Sequence, residues 1–199
     1  MNTVVDTTQD TRQRVLDAAC EAFREEGYQV SIDRIAARAQ VARQTLYNHF
    51  PSKDALFAEV IHSCIQSILV TLEGDGDVRT TLLAFGDAYR AKLLSSDGLS
   101  IFRTMVAEAP RFPALAQQFF AQGPVMTRKH LAAYLEQAMQ HGLLRQDSPA
   151  FAAEMLTAML VDYDRLRGLI NLQTDLLKPE KTAQVVDCFL QAYAPLKDS

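Results

Sequence analysis

SIDRIAARAQVARQTLYNHFPSK, residues 31–53, is the stretch on which the fold turns. Ser31 is a good N-cap, and Asp33 suits the exposed N–H groups of the turn that follows. Ile32, Ile35, Ala36 and Ala39 give this first short helix a buried side. A tight turn at Gln40-Val41 leads to a second helix, which Pro51 ends before Ser52 caps a third. Along the second helix Arg43, Gln44, Tyr47 and Asn48 share one polar, aromatic-bearing face, while Leu46 and Phe50 point the other way, toward a core. This is the pattern of a helix-turn-helix, whose second helix lies in the DNA major groove and offers side chains to base edges.

Charge supports that reading locally and opposes it globally. The chain carries a net charge of −4, yet within residues 31–53 Arg34, Arg38, Arg43 and Lys53 stand against Asp33 alone. The acidic excess therefore lies outside the stretch that would meet phosphates.

Working outward, apolar spacing is helical nearly throughout, and strand signals are almost absent, so the chain reads as all-α. Val15, Ala18, Ala19, Ala22 and Phe23 make an amphipathic helix over about residues 10–26, closed by Gly27. The polar residues 1–9 lack the makings of a signal peptide and read as a disordered leader. Glu25 and Glu26 read as a solvated face. Downstream, Leu56, Phe57, Val60, Ile61, Cys64, Ile65, Ile68, Leu69 and Leu72 give two apolar residues per turn, a stripe wide enough to link a small head to a larger body. Gly, Pro and Ser then punctuate further helices at about 78–94, 99–108, 114–121, 123–142, 149–172 and 180–193. The expected division is a leader at 1–9, a DNA-binding head at 10–51 and a helical body at 52–199.

Several functions are excluded on composition and motif. Asp162 and Asp164 interrupt the most hydrophobic region, so no membrane span is expected. Cys20, Cys64 and Cys188 stand far apart in apolar helical patterns and read as reduced, packed thiols in a cytoplasmic protein, with no metal site. There is no Gly-rich phosphate loop, no metal-spaced set and no nucleophile motif, so neither enzyme activity nor a cofactor is expected.

TLYNHFPSKDALF, residues 45–57, resembles the signature of TetR-family transcriptional regulators. The lead-in is similar too: Ala18-Ala19 with Phe23, Gly27-Tyr28, then Ser31 with Ile35-Ala36, so that the likeness spans about residues 11–60. EAPRFP at 108–113, followed by Gly123-Pro124, resembles the carboxy-terminal region of the AefR-like branch. The resemblance implies an all-α homodimer that binds double-stranded operator DNA and a small-molecule inducer, with its last two long helices forming the dimer seam. It implies a repressor in most relatives, an activator in some. A small-molecule-binding protein with weak DNA binding is the remaining alternative. By position, the resemblance makes Arg43, Gln44 and Tyr47 base contacts, and Ser31, Thr45, Asn48, His49 and Lys53 phosphate contacts. Their chemistry agrees, since Arg pairs with guanine O6 and N7, Gln pairs with adenine N6 and N7, and hydroxyls, amides and ammonium groups suit phosphate oxygens. His49 and Tyr47 have second readings as packed residues. Relatives usually carry Gly where Gln40 stands, so a strained turn is expected there.

The body supplies candidates for two further surfaces. Phe85, Tyr89, Phe102, Met105, Phe119 and Phe120 could line an inducer cavity with Met126, His130, Tyr134, Met155, Met159 and Tyr163. Such a lining favours a hydrophobic or aromatic ligand. Leu156, Leu160, Leu166, Leu169 and Ile170, with Val185, Val186, Phe189 and Leu190, form wide apolar faces that a two-fold dimer would bury.

Overall fold

Residues 3–74, 76–172 and 177–195 are described in the computed structural model, and among them every regular element is helical. Helix α1 (Thr3–Glu26) begins inside the expected leader, because residues 3–9 contain no glycine or proline to interrupt a helix. It ends at Gly27, whose φ of +69° suits a residue without a Cβ. Helix α2 (Ile32–Arg38) is capped by Ser31, whose Oγ accepts from Arg34 N at 3.2 Å. Helices α3 (Arg43–His49) and α4 (Lys53–Leu69) follow, with Ser52 Oγ accepting from Ala55 N at 3.0 Å to start α4.

Helices α5 (Val78–Leu93), α6 (Ser96–Glu108), α7 (Pro113–Phe120), α8 (Met126–Gln140), α9 (Pro149–Leu169) and α10 (Pro179–Ala192) complete the chain. Gly123-Pro124 does not open a helix, as its composition suggested. Pro124 sits inside a wide helical turn, Ala121–Val125, that passes into α8. A wider turn tolerates the backbone bond that proline cannot make.

The residues gather into two compact units, one of residues 1–64 with 101–122 and one of 65–100 with 123–199. The first unit holds the helix-turn-helix, the first part of α4, most of α6 and all of α7. Its core joins Ile35, Leu46, Phe50 and Leu56 to Met105 and Leu115. The core of the second unit holds Leu82, Phe85, Leu131, Leu135, Leu156, Leu160, Val186 and Phe189. Helix α4 with its short extension, Lys53–Leu72, is long and apolar enough to cross a membrane. Its apolar residues are spent on packing instead: Leu56, Phe57, Val60 and Ile61 lie in the first core and Ile68 in the second.

Inside the second unit, Asp164 of α9 is 5% exposed and Arg90 of α5 is 2% exposed. Asp164 Oδ2 accepts from Arg90 Nη1 at 3.0 Å and from Lys181 Nζ of α10 at 2.7 Å. Arg90 Nη1 also donates to the carbonyl of Leu160. Burial pushes the Asp164 carboxyl up, but the bonds from Lys181 and Arg90 outweigh it and hold it below the usual carboxylate range. One carboxylate therefore ties three helices.

Residues of the two expected body surfaces divide between the core and the exterior. Leu156, Leu160, Val186 and Phe189 are fully buried within a single chain and Val185 nearly so, leaving them no area to give a partner. Of the expected seam, Leu166 and Ile170 are exposed, while Leu169 and Leu190 are half-buried. The exposed side of α9 runs through Phe151, Met159, Tyr163 and Leu166 to Ile170 at its C-cap, with half-buried Met155 in phase, at spacings of three and four. Among the expected cavity residues, Phe85 and Tyr89 are stacked core residues whose ring centroids lie 5.5 Å apart. Burial pushes the Tyr89 hydroxyl up to about 12. Met159, Tyr163 and Phe120 are exposed, as is His130, whose Nδ1 donates to Met126 O at 2.9 Å. Met126, Tyr134 and Met155 are half-buried in the second unit, Phe102 and Phe119 in the first. A crevice of about 10 Å3 in the first unit is lined by Cys20, Phe23, Tyr28, Phe57, Val60, Ile61, Ile101, Thr104 and Met105. Of the expected residues only Met105 borders it, and the space holds about one water.

Candidate nucleic-acid interface

Leu46, Phe50 and Ile35 are at most 1% exposed and seat α3 against α1, α2 and α4 in the head core. With that side buried, the opposite side faces outward. Arg43, Gln44 and Asn48 are exposed, and Thr45, Tyr47 and His49 are half-buried beside them. The structure brings together the residues expected to read bases. Gln44 Nε2 donates to Asn48 Oδ1 at 3.0 Å, one helical turn on. Arg43 Cζ lies 5.5 Å from the centre of the Tyr47 ring. Arg43 Nη1 also donates to both carboxylate oxygens of Asp33, at 3.0 and 2.9 Å. The Tyr47 hydroxyl and then Asp33 raise the Arg43 pKa, so its charge is fixed. Tyr47 packs one flank on the core while its ring shelves the arginine. The His49 ring lies 6.3 Å from that of Phe50.

The turn between α2 and α3 explains how Gln stands in a glycine position. Gln40 has φ 55°. The turn is locked by Val41 N donating to Ala36 O at 3.0 Å and Gln40 N to Ala37 O at 3.1 Å. Arg14 of α1 reaches across, its Nη2 donating to Ala39 O at 2.8 Å and to Gln40 O at 3.3 Å. These bonds hold the strained residue in place.

Two expectations about the rim change. Lys53 does not point outward: its ammonium donates to the carbonyl of Tyr28 and sits 4.4 Å from that ring's centre. Partial burial lowers its pKa. Tyr28 is itself a hub, within 5.9 Å of Phe23, 5.4 Å of Phe57 and 6.4 Å of Phe112, with its hydroxyl donating to Asp54. Nor is the local cationic excess open. Arg34 pairs with Glu26 at 2.9 Å, and Arg38 pairs with Glu25 at 2.6 Å and Glu21 at 3.8 Å. Glu25 and Glu26 are therefore partners across two helices rather than a merely solvated face. Exposed pairs of this kind are weak and can be exchanged for phosphates. Ser31 remains exposed at the start of α2, where its hydroxyl also caps the helix. By sequence Asp33 has only a helix-dipole role; its spacing from Arg43 carries no signal, because the contact crosses the turn.

Residues 15–60 match the bacterial regulatory proteins of the tetR family, and residues 80–195 match the carboxy-terminal domain of AefR-like transcriptional repressors. The HTH-type transcriptional regulator YezE of Bacillus subtilis is 29% identical over 144 residues, covering 66% of this chain and 67% of YezE. The structure of the flavonoid-responsive regulator FrrA is 29% identical and matches with a TM-score of 0.72, covering 95% of this chain and 100% of that one. A TetR-family transcriptional regulator from Mesorhizobium loti matches with a TM-score of 0.75 at 25% identity, covering 94% of this chain and 98% of that one. With its helix-turn-helix and a family match across both units, this chain belongs to the TetR family of transcriptional regulators.

Proposed function

We propose that two copies of this chain bind an imperfect inverted repeat in operator DNA, repress the adjacent gene, and are released by a small aromatic or hydrophobic ligand. The observation that carries the reading is the division of α3, with Leu46 and Phe50 buried and Arg43, Gln44 and Asn48 exposed on the other side. Arg43 and Gln44, at the start of α3, are the base readers, each worth about 1–3 kcal/mol of discrimination. Tyr47 adds an apolar contact and orients Arg43. Ser31, Thr45, Asn48 and His49 hold phosphates, while Lys53 braces the head through Tyr28. Such a regulator works in the cytoplasm, where bacterial DNA lies.

The outer stripe of α9 supports the dimer, because Tyr163, Leu166 and Ile170 are 70%, 57% and 59% exposed in one chain. An apolar row of that kind is stabilised by a two-fold mate. The flavonoid response in the name of one structural relative supports an aromatic ligand. Helix α4 contributes residues to both units and is the transmission element. A ligand that prefers the non-binding state 100-fold supplies about 2.7 kcal/mol of coupling.

Enrichment from a randomised duplex pool tests the DNA reading. The expected product is a family of inverted repeats, released when flavonoids from a test panel are added. No enriched repeat would refute operator binding, and a repeat held equally tightly at every ligand concentration would refute release by this class.

A further inference from the structure

The three arginines of α2 and α3 each face a carboxylate of the head. The pairs of Arg34 and Arg38 reach back to α1 and brace helices against one another. The pair of Arg43 differs. Arg43 is the first residue of α3, the end at which a recognition helix meets base edges, and its partner Asp33 stands in the first turn of α2. Both oxygens of Asp33 converge on one nitrogen, Nη1, while the ring of Tyr47 flanks the guanidinium. The side chains of Arg43 and Asp33 are 59% and 64% exposed, so the pair is no part of the core. A contact this exposed adds little to folding. Its consequence is where Arg43 points.

We propose that Asp33 is a specificity-determining positioning residue, which holds Arg43 away from phosphates and toward a base edge offering two acceptors. The inference rests on the DNA-binding reading above. On a duplex lacking the matched base pair, Arg43 gains only by swinging to a phosphate. Asp33 competes for the same Nη1, and its own charge is repelled by the DNA backbone. On a matched site, the guanidinium edge that Asp33 does not engage meets guanine O6 and N7, while the carboxylate keeps Nη1. The clamp also removes rotamer freedom before DNA arrives, which lowers the ordering cost of the specific complex. Asp33 therefore weakens wrong sites more than right ones.

The test uses the full chain and two duplexes: the one that wild type enriches from a randomised pool, and a shuffled duplex of the same composition. Affinities for both are measured by fluorescence anisotropy across a salt series for wild type, D33N, D33A, D33E, R43A and D33A/R43A. D33N and D33A are expected to tighten the shuffled duplex more than the enriched one. The affinity ratio then falls about threefold per half-site, or about tenfold for two. In the R43A background, D33A shifts both duplexes by the same factor, because nothing remains to position. D33E, which keeps the carboxylate, holds a ratio nearer wild type than D33N does. D33N preserves side-chain size, and circular dichroism matching wild type separates a lost fold from a lost clamp. Equal tightening of both duplexes by D33A, with Arg43 present, overturns the proposal. A wild-type chain that enriches no duplex overturns the DNA-binding reading beneath it.

Discussion

Asp164→Ala would remove the carboxylate on which Arg90 and Lys181 converge, and the structure sets the scale of the loss. Arg90 is 2% exposed and would keep its bond to the Leu160 carbonyl while losing the countercharge beside it. Breaking a buried ion pair from one side costs about 3–5 kcal/mol. The Lys181 side chain is 30% exposed, so water takes over part of its share, and the lower end, about 3 kcal/mol, applies. For a chain of this size, each kcal/mol moves Tm by about 2–4 °C, which gives a drop of roughly 6–12 °C. Thermal unfolding followed by circular dichroism at fixed protein concentration reads it directly. The pH dependence supplies a second check. Because the folded pKa of Asp164 is depressed, its contribution is fully present above the ordinary carboxylate range and is lost as pH falls through the folded value. The gap between wild type and Asp164→Ala should therefore narrow in acid. A Tm shift under about 2 °C at neutral pH would refute the view that this carboxylate ties the body helices.

Leu166→Glu, on the outer stripe of α9, should leave helicity unchanged and turn the proposed dimer into a monomer in sedimentation equilibrium; a persisting dimer would place the seam elsewhere. Gln40→Gly relieves a left-handed residue and should stabilise the head by about 1 kcal/mol or slightly less, read in thermal unfolding. Gly86→Ala would set a Cβ 2.6 Å from Thr182 Cγ2 and should cost about 1–3 kcal/mol in urea unfolding.

The helix-turn-helix was legible because its evidence is local. Ser31 caps α2, Pro51 follows the end of α3, and Leu46 and Phe50 fall on one side by helical period alone. What could not be read was set by contacts between distant segments. Glu21, Glu25 and Glu26 lie outside residues 31–53 in sequence yet neutralise Arg34 and Arg38 in space. The contact of the Lys53 ammonium with the carbonyl of Tyr28, 25 residues away, likewise left no mark in the sequence. The body shows the same limit. Period marks Leu156 and Leu166 alike as apolar positions on α9, but only the packing of α5, α8 and α10 decides that one is core and the other surface. Of the aromatic and Met residues expected at a cavity, Phe85 and Tyr89 stack on each other in the core, a pairing that spacing alone does not reveal.

On the proposed function, the polar face of α3 enters the major groove, twice per assembled regulator. Dimethyl sulfate interference on the enriched duplex tests it most directly, since methylation at guanine N7 blocks the major groove and methylation at adenine N3 blocks the minor groove. Two clusters of guanine N7 interference are expected, centred about one helical turn apart, symmetric about the repeat, and lost from each half-site in R43A. Interference confined to adenine N3, or a single cluster without a symmetric mate, would contradict it.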